Sequence, residues 1–150
     1  MPQSLSRLIV HIVFSTKTRM PVLNQSIRAE LYQYLGGALR NLKCCAIQIG
    51  GTADHVHLLC LFSKNRALAK LVEELKTGSS KWLKTKGAHL HSFHWQNGYG
   101  GFSVSESVLE TVSQYIEQQE EHHRKMSFQD EYRKLLEKHG VPYDERFVRD

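Results

Sequence analysis

The sequence predicts an α+β fold of the ferredoxin-like kind, an antiparallel sheet in the order strand-helix-strand-strand-helix-strand, with extra helices C-terminal to it. Three observations predict it. Apolar, β-branched runs recur near residues 5–16, 43–49 and 54–62, helical stripes separate them, and a glycine-punctuated segment at 95–104 closes the series. The first and third strands of that arrangement are central, with the first two helices on one face of the sheet.

Leu5 to Thr16 is rich in β-branched residues and reads as the first strand, ending in the basic loop Lys17-Thr18-Arg19-Met20-Pro21. Asn24 or Ser26 can cap a helix to about Leu42, because Ile27, Leu31, Tyr34, Leu35 and Leu39 recur at helical spacing. Lys43 to Ile49 reads as the second strand and Asp54 to Phe62 as the third, with a turn at Gly50-Gly51 between them. A second helix from about Ala67 carries Leu68, Leu71, Val72 and Leu75 and breaks at Gly78-Ser79-Ser80. Trp95 to Val104, with Gly98, Gly100 and Gly101, reads as a kinked fourth strand. A Ser107-x-x-Glu110 capping box opens a helix carrying Val108, Val112, Tyr115 and Gln119 on one stripe. A last helix, about Phe128 to His139, stops at Gly140 with Pro142 beyond.

A chain of 150 residues, 41% of them hydrophobic, can bury one core, so a single domain over residues 1–150 is expected. The net charge of +5 and a pI near 9.2 point to a polyanionic partner. Cys44, Cys45 and Cys60 are odd in number and suit neither a disulfide framework nor a zinc knuckle; buried thiols in a reducing compartment are expected. The apolar run Leu8 to Phe14 is too short to span a bilayer and lacks a small-residue cleavage site. A cytoplasmic protein with no membrane partner is expected.

The chemistry concentrates in Asp54-His55-Val56-His57-Leu58-Leu59 and Tyr115-Ile116-Glu117-Gln118-Gln119. Residues i and i+2 of a strand share a face, so His55 and His57 can reach one cation while Val56 enters the core. Residues i and i+4 of a helix are neighbours, so Tyr115 and Gln119 can meet that cation together; Gln118, at i+3, is the rival. A second His-x-His, His89-Leu90-His91, follows the basic, glycine-containing stretch Lys84-Thr85-Lys86-Gly87-Ala88 and reads as an incidental loop. His122 and His123 suit a solvated helix end or a DNA contact, the former being favoured. Lys17, Arg19, Lys76, Lys81, Lys84 and Lys86 are candidate phosphate contacts for a nucleic acid, and Trp95 and Tyr99 are either core or base-stacking platforms.

Paired strand histidines beside a helical tyrosine are the signature of the HUH nucleases. Nearly end to end, the chain resembles the single-tyrosine HUH transposases of minimal bacterial insertion sequences, the insertion sequence 200/605 family, transposase A type. The resemblance rests on Lys17-Thr18-Arg19-Met20-Pro21-Val22-Leu23, Asp54 to Leu59, Trp95-Gln96-Asn97-Gly98-Tyr99-Gly100, Phe102-Ser103-Val104-Ser105, Tyr115 to Gln119 and Glu121-His122-His123. Thr18 and Met20 depart from it, standing where relatives often carry an aromatic and a basic residue.

That resemblance implies a homodimeric DNA transposase that cuts and rejoins single-stranded DNA at element ends marked by imperfect hairpins. It implies Tyr115 as the nucleophile, His55 and His57 as metal ligands, Gln119 as the third ligand, and Mg²⁺ or Mn²⁺ as the cofactor. A tyrosine of one subunit serving the histidines of the other is a further implication, as is strand pairing through a projecting part of residues 5–16. Such chemistry suits the residue types. A cation neutralises the phosphodiester's charge, and a phenol of pKa near ~10 is both an attainable nucleophile and a fair leaving group from a 5′-phosphotyrosine. Two other readings stand beside this one: a domesticated hairpin-binding protein of the same fold without transposition activity, and a metal-dependent hydrolase needing no tyrosine.

Overall fold

The structure, a computed structural model, describes residues 2–149. Strand β1 (Leu8–Ser15), helix α1 (Gln25–Asn41), strands β2 (Ala46–Gly51) and β3 (His55–Phe62), helix α2 (Leu68–Leu83) and strand β4 (Gly100–Ser103) follow one another in the expected order. The antiparallel sheet runs β2-β3-β1-β4, which puts β1 and β3 in the centre and makes the fold ferredoxin-like. Helices α3 (Leu109–Glu117), α4 (Gln119–His122), α5 (Phe128–Lys138) and α6 (Glu145–Arg149) complete the chain.

Strand alternation sorts the side chains into two layers. Ile12 and Phe14 of β1 with Val56, Leu58 and Cys60 of β3 face one way and pack on Leu31, Leu35 and Leu39 of α1 and Leu71, Val72 and Leu75 of α2. Each fully buried aliphatic side chain there contributes roughly 1.5–3 kcal/mol, so this layer is the rigid platform. His11, Val13, His55 and His57 face the other way. Two smaller clusters hold the covering helices on that side: Ile9 and Leu59 with Ile116 of α3, and Val13 and Phe102 with Phe128 and Leu136 of α5 and Val148 of α6.

Local chemistry moved several boundaries. The break expected at Gly78-Ser79-Ser80 is absent, and α2 runs through to Leu83. Ser79 keeps the helix intact because its hydroxyl donates to the Leu75 carbonyl (2.6 Å) and accepts from Trp95 Nε1 (2.9 Å). Strand β2 starts only at Ala46 because Lys43 takes a positive φ of 63° and turns the chain out of α1. It then runs through Gly50 and Gly51, which pair with His57 and Val56, and the turn falls at residues 52–54 instead. The fourth strand is interrupted. Trp95 bridges Thr16, the chain loops out at Gly98 (φ 87°), and regular pairing resumes at Gly100.

The capping box at Ser107 does not form. Ser107 instead bonds the Ser105 hydroxyl (2.9 Å) and Glu110 accepts from Gln114 (3.3 Å), while residues 106–108 form a 3-10 turn whose Glu106 pairs with Arg7 (2.7 and 3.0 Å). Asn24 caps α1 as expected, accepting from the Ile27 amide (3.0 Å), and Cys45 is exposed where a buried thiol was expected. Strand β1 is paired to β3 along its whole length and to β4 from Val10 to Val13, so its middle offers no edge to a partner. No helix among the described residues is long and apolar enough to cross a membrane.

Candidate metal centre and tyrosine

The two histidines belong to the most rigid part of the sheet. His55 and His57 are fully buried on β3, opposite Ser15 and Val13 of β1, with their rings projecting towards α3 and α5. The tyrosine helix reaches them by a close approach. At Gly50 of β2 a Cβ would lie 2.2 Å from the Ile116 carbonyl oxygen, so only glycine lets α3 settle at this depth. A kink at Gln118 (φ −97°, ψ 23°) separates α3 from α4, and Gln119 just beyond it is 1% exposed.

Glu131 of α5 gathers these side chains. One carboxylate oxygen, Oε1, accepts from His57 Nε2 (3.0 Å) and His123 Nε2 (3.0 Å) and lies 3.4 Å from His55 Nε2. The other, Oε2, accepts from Gln119 Nε2 (2.8 Å) and from the Tyr115 hydroxyl. Gln119 Oε1 in turn sits 2.9 Å from His55 Nε2. Each imidazole is oriented from behind: Asp54 Oδ1 is 2.7 Å from His55 Nδ1, and His11 Nε2 shares a 2.7 Å hydrogen bond with His57 Nδ1. Such partners fix the tautomer and leave both Nε2 atoms aimed at one point.

The electrostatics follow from burial and this carboxylate. Burial opposes charge on His55, but Asp54 and Glu131 outweigh it and hold the ring at about 9. Burial wins at His57, which falls to about 4 despite Glu131, and at His11, where it acts with the neighbouring His57. Burial also opposes the Glu131 charge, yet hydrogen bonds from His123, His55 and His57 keep it far below the usual carboxylate range. Tyr115 is pushed well above an ordinary phenol, first by burial and then by the Glu131 charge.

His55, His57 and Glu131 form a buried group able to hold a metal ion, their ligating atoms all lying within 4.8 Å of one another. The donor set fits a divalent cation. Two imidazole nitrogens and a carboxylate oxygen are borderline-to-hard ligands, and Gln119 Oε1 adds an amide oxygen beside them. With Glu131 among its members, that group carries a negative charge, which two histidines and the Gln119 amide alone would not.

The other predicted residues lie elsewhere. Trp95 is core: its ring is edge-on to Phe14 and Phe93 at 4.7 and 4.9 Å, and it offers no face to a base. Lys76 donates to the Gln96 and Gly98 carbonyls (2.7 and 2.5 Å), and burial lowers it to about 8. Lys81 is exposed on α2 and Lys84 caps that helix with a bond to Ser80 (2.8 Å), so these three start from the face of the sheet opposite the histidines. Lys17 and Arg19 occupy a 3-10 turn in which Thr18 and Arg19 take positive φ (52° and 55°). Tyr99 is 36% exposed. His89 and His91 are exposed, in a loop away from the cluster, whereas His123, expected to be solvated, bonds Glu131.

A ferredoxin-like sheet bearing a buried histidine–carboxylate cluster, with a tyrosine hydroxyl against the same carboxylate, defines an α+β protein with a candidate metal centre and nucleophile. Residues 4–119 match the family described as "Transposase IS200 like", and the chain belongs to that family. It is similar to a candidate transposase from Deinococcus radiodurans R1, at 25% identity and a TM-score of 0.62 over 77% of this chain and 93% of that one. It also shares its fold with a REP-associated tyrosine transposase solved bound to a REP hairpin, at 12% identity and a TM-score of 0.57 over 77% and 68% of the two chains. No curated protein matches it. Helix α5, which supplies Glu131, lies beyond the family-matched residues.

Proposed function

We propose that the chain is a single-tyrosine DNA transposase that cleaves and rejoins single-stranded DNA through a 5′-phosphotyrosine on Tyr115, at element ends marked by hairpins. The observation that carries this reading is the Glu131 carboxylate. It touches both β3 histidines and the Tyr115 hydroxyl at once, so metal ligands and nucleophile share one buried point within one chain. The hairpin in the complex of the fold relative supports the substrate class.

His55 Nε2, His57 Nε2, Gln119 Oε1 and Glu131 Oε1 would hold Mg²⁺ or Mn²⁺, with Asp54 and His11 keeping the imidazoles aligned. When bound, the cation supplies charge neutralisation at the scissile phosphate. Tyr115 Oη, held by its hydrogen bond to Glu131 Oε2, attacks the phosphorus; the P–O3′ bond breaks, and the phenolic proton ends on the departing 3′-oxygen, which leaves as a hydroxyl. The phosphodiester is conserved in the Tyr–phosphate bond, so a second 3′-OH can reverse the step without ATP. Lys17, Arg19 and Tyr99 are the predicted surface contacts retained for DNA. Action as one domain and assembly as a homodimer belong to the same proposal, with β2 and β4, the outer strands, as the edges through which copies would pair.

The test is a denaturing gel with labelled single-stranded DNA carrying the hairpin. Wild type with Mn²⁺ gives a covalent protein–DNA band, and Tyr115→Phe binds the hairpin but gives none. A persisting band in that variant reassigns the nucleophile; hairpin binding with no band in wild type marks a binding protein, and cleavage without a band a hydrolase.

A further inference from the structure

Beside the tyrosine, between α3 and α5, lies a cavity of about 380 Å³, within the range of small-ligand sites. Tyr115 and Glu131 line it together with Val108, Val112 and Leu135, and the exposed Lys134 and Lys138 of α5 border it. The two lysines are one helical turn apart, so they share a face. Neither has a carboxylate within ion-pair distance among the described residues. The proposed reaction makes no use of this space.

Resting on the proposed phosphotyrosine chemistry, we infer that this cavity receives the nucleotide immediately 3′ of the scissile phosphate. Its base lies against Val108, Val112 and Leu135, and the next phosphate lies at Lys134 and Lys138. Covalent geometry commits the occupant. A 5′-phosphotyrosine joins Tyr115 directly to the 5′-phosphate of that nucleotide, so its sugar and base must lie within a few bonds of Tyr115 Oη, and Tyr115 lines the cavity. Charge agrees away from Glu131, because two cations border a space walled mainly by apolar side chains, and nucleotides are apolar rings strung on anions. An apolar wall senses the presence of a base more than its identity, so any base is accepted there and a missing base is not.

The experiment uses the full chain with Mn²⁺ and hairpin substrates that differ only in one abasic residue, placed first on the 3′ side or first on the 5′ side of the cut. With wild type, the 3′-side abasic substrate gives the covalent band roughly ten-fold more slowly, and the 5′-side one reacts nearly as intact DNA does. Val108→Trp fills the cavity from an exposed position: it slows intact DNA about ten-fold but leaves the 3′-abasic substrate at the wild-type rate for that substrate, a pattern a misfolded variant cannot give. Lys134→Ala with Lys138→Ala flattens the salt dependence of cleavage by about one phosphate contact. Equal rates for intact and 3′-abasic DNA, or a loss confined to the 5′-side substrate, overturn the cavity assignment while a normal covalent band keeps the transposase reading. No band on intact DNA overturns both.

Discussion

Replacing Glu131 with glutamine keeps the shape of the cluster and removes its charge. In the metal-free protein that charge accepts hydrogen bonds from His123, His55 and His57, and among these the His55 ring is raised to about 9 against 6.5 for a free imidazole. A folded-state pKa raised in this way gives stability that is complete below pH 6.5 and is lost as the pH rises through 9. The difference corresponds to about 3 kcal/mol for the ring as a whole, shared by Asp54 and Glu131 against burial. Neutralising one side of a buried pair costs about 3–5 kcal/mol, because the remaining cation is left with Asp54 alone. For a chain of this size each kcal/mol moves the melting temperature by about 2–4 °C, so Glu131→Gln lowers it by roughly 6–20 °C at pH 6.5.

The pH dependence discriminates this account from simple loss of packing. Above pH 9 the His55 ring is neutral in both proteins, and the gap between them narrows to less than half. Thermal unfolding in EDTA at pH 6.5 and 9.5, followed by circular dichroism, measures both. A gap equal at the two pH values, or below about 1 kcal/mol at pH 6.5, refutes the assignment of Glu131 as the counter-charge of the cluster. Calorimetric titration of the same variant with Mn²⁺ should also show affinity lowered by at least about ten-fold, since the carboxylate proposed as a ligand has become a neutral amide.

Three further outcomes follow from the same structure. His11→Ala removes the partner of His57 Nδ1 and should weaken Mn²⁺ binding about 10–100-fold by calorimetry, with hairpin binding unchanged in a mobility-shift assay. Trp95→Ala should cost about 3–5 kcal/mol in urea unfolding and leave the hairpin affinity of the folded protein unaltered, because the ring is core and not a stacking platform. Gly50→Ala puts a Cβ 2.2 Å from the Ile116 carbonyl oxygen and displaces α3; a shift near 1 Å at Tyr115 lowers the rate of covalent-band formation by about a hundred-fold in a gel time course.

What was legible in the sequence is what depends on short-range periodicity. The order of strands and helices, the central place of β1 and β3, and the common face of His55 and His57 all follow from periods of two and 3.6. What escaped depended on partners far away in the chain. Gly78 and Ser79 read as a break because their compensation, Tyr34 against Gly78 and Trp95 on the Ser79 hydroxyl, is tertiary. The Ser107 capping box failed for a local reason instead, since the Ser105 hydroxyl takes Ser107 and Gln114 takes Glu110. Glu131 left one usable sign. Phe128, Glu131, Tyr132, Leu135 and Leu136 recur at i, i+3, i+4, i+7 and i+8, so a carboxylate stands on the apolar stripe of α5, where burial without a partner would be prohibitive. His11 carried a similar sign, an imidazole between Ile9 and Val13 on one face of a core strand.

The division of the site between two kinds of support bears on how it works. His55 and His57 sit on β3, held by neighbours on both sides and by the larger core beneath, so their Nε2 atoms keep their separation whatever happens above them. Tyr115 and Glu131 sit on helices anchored by the two smaller clusters, and the link between them is the Tyr115–Glu131 hydrogen bond itself. Segments with few buried contacts open more readily than the core, so α3 and α5 are the elements that can yield to an incoming strand. All four groups come from one chain, and β1 has no free middle edge. Exchange of the tyrosine between copies would therefore require α3 to leave both Glu131 and the Gly50 seat, while the β3 histidines stay where the sheet holds them.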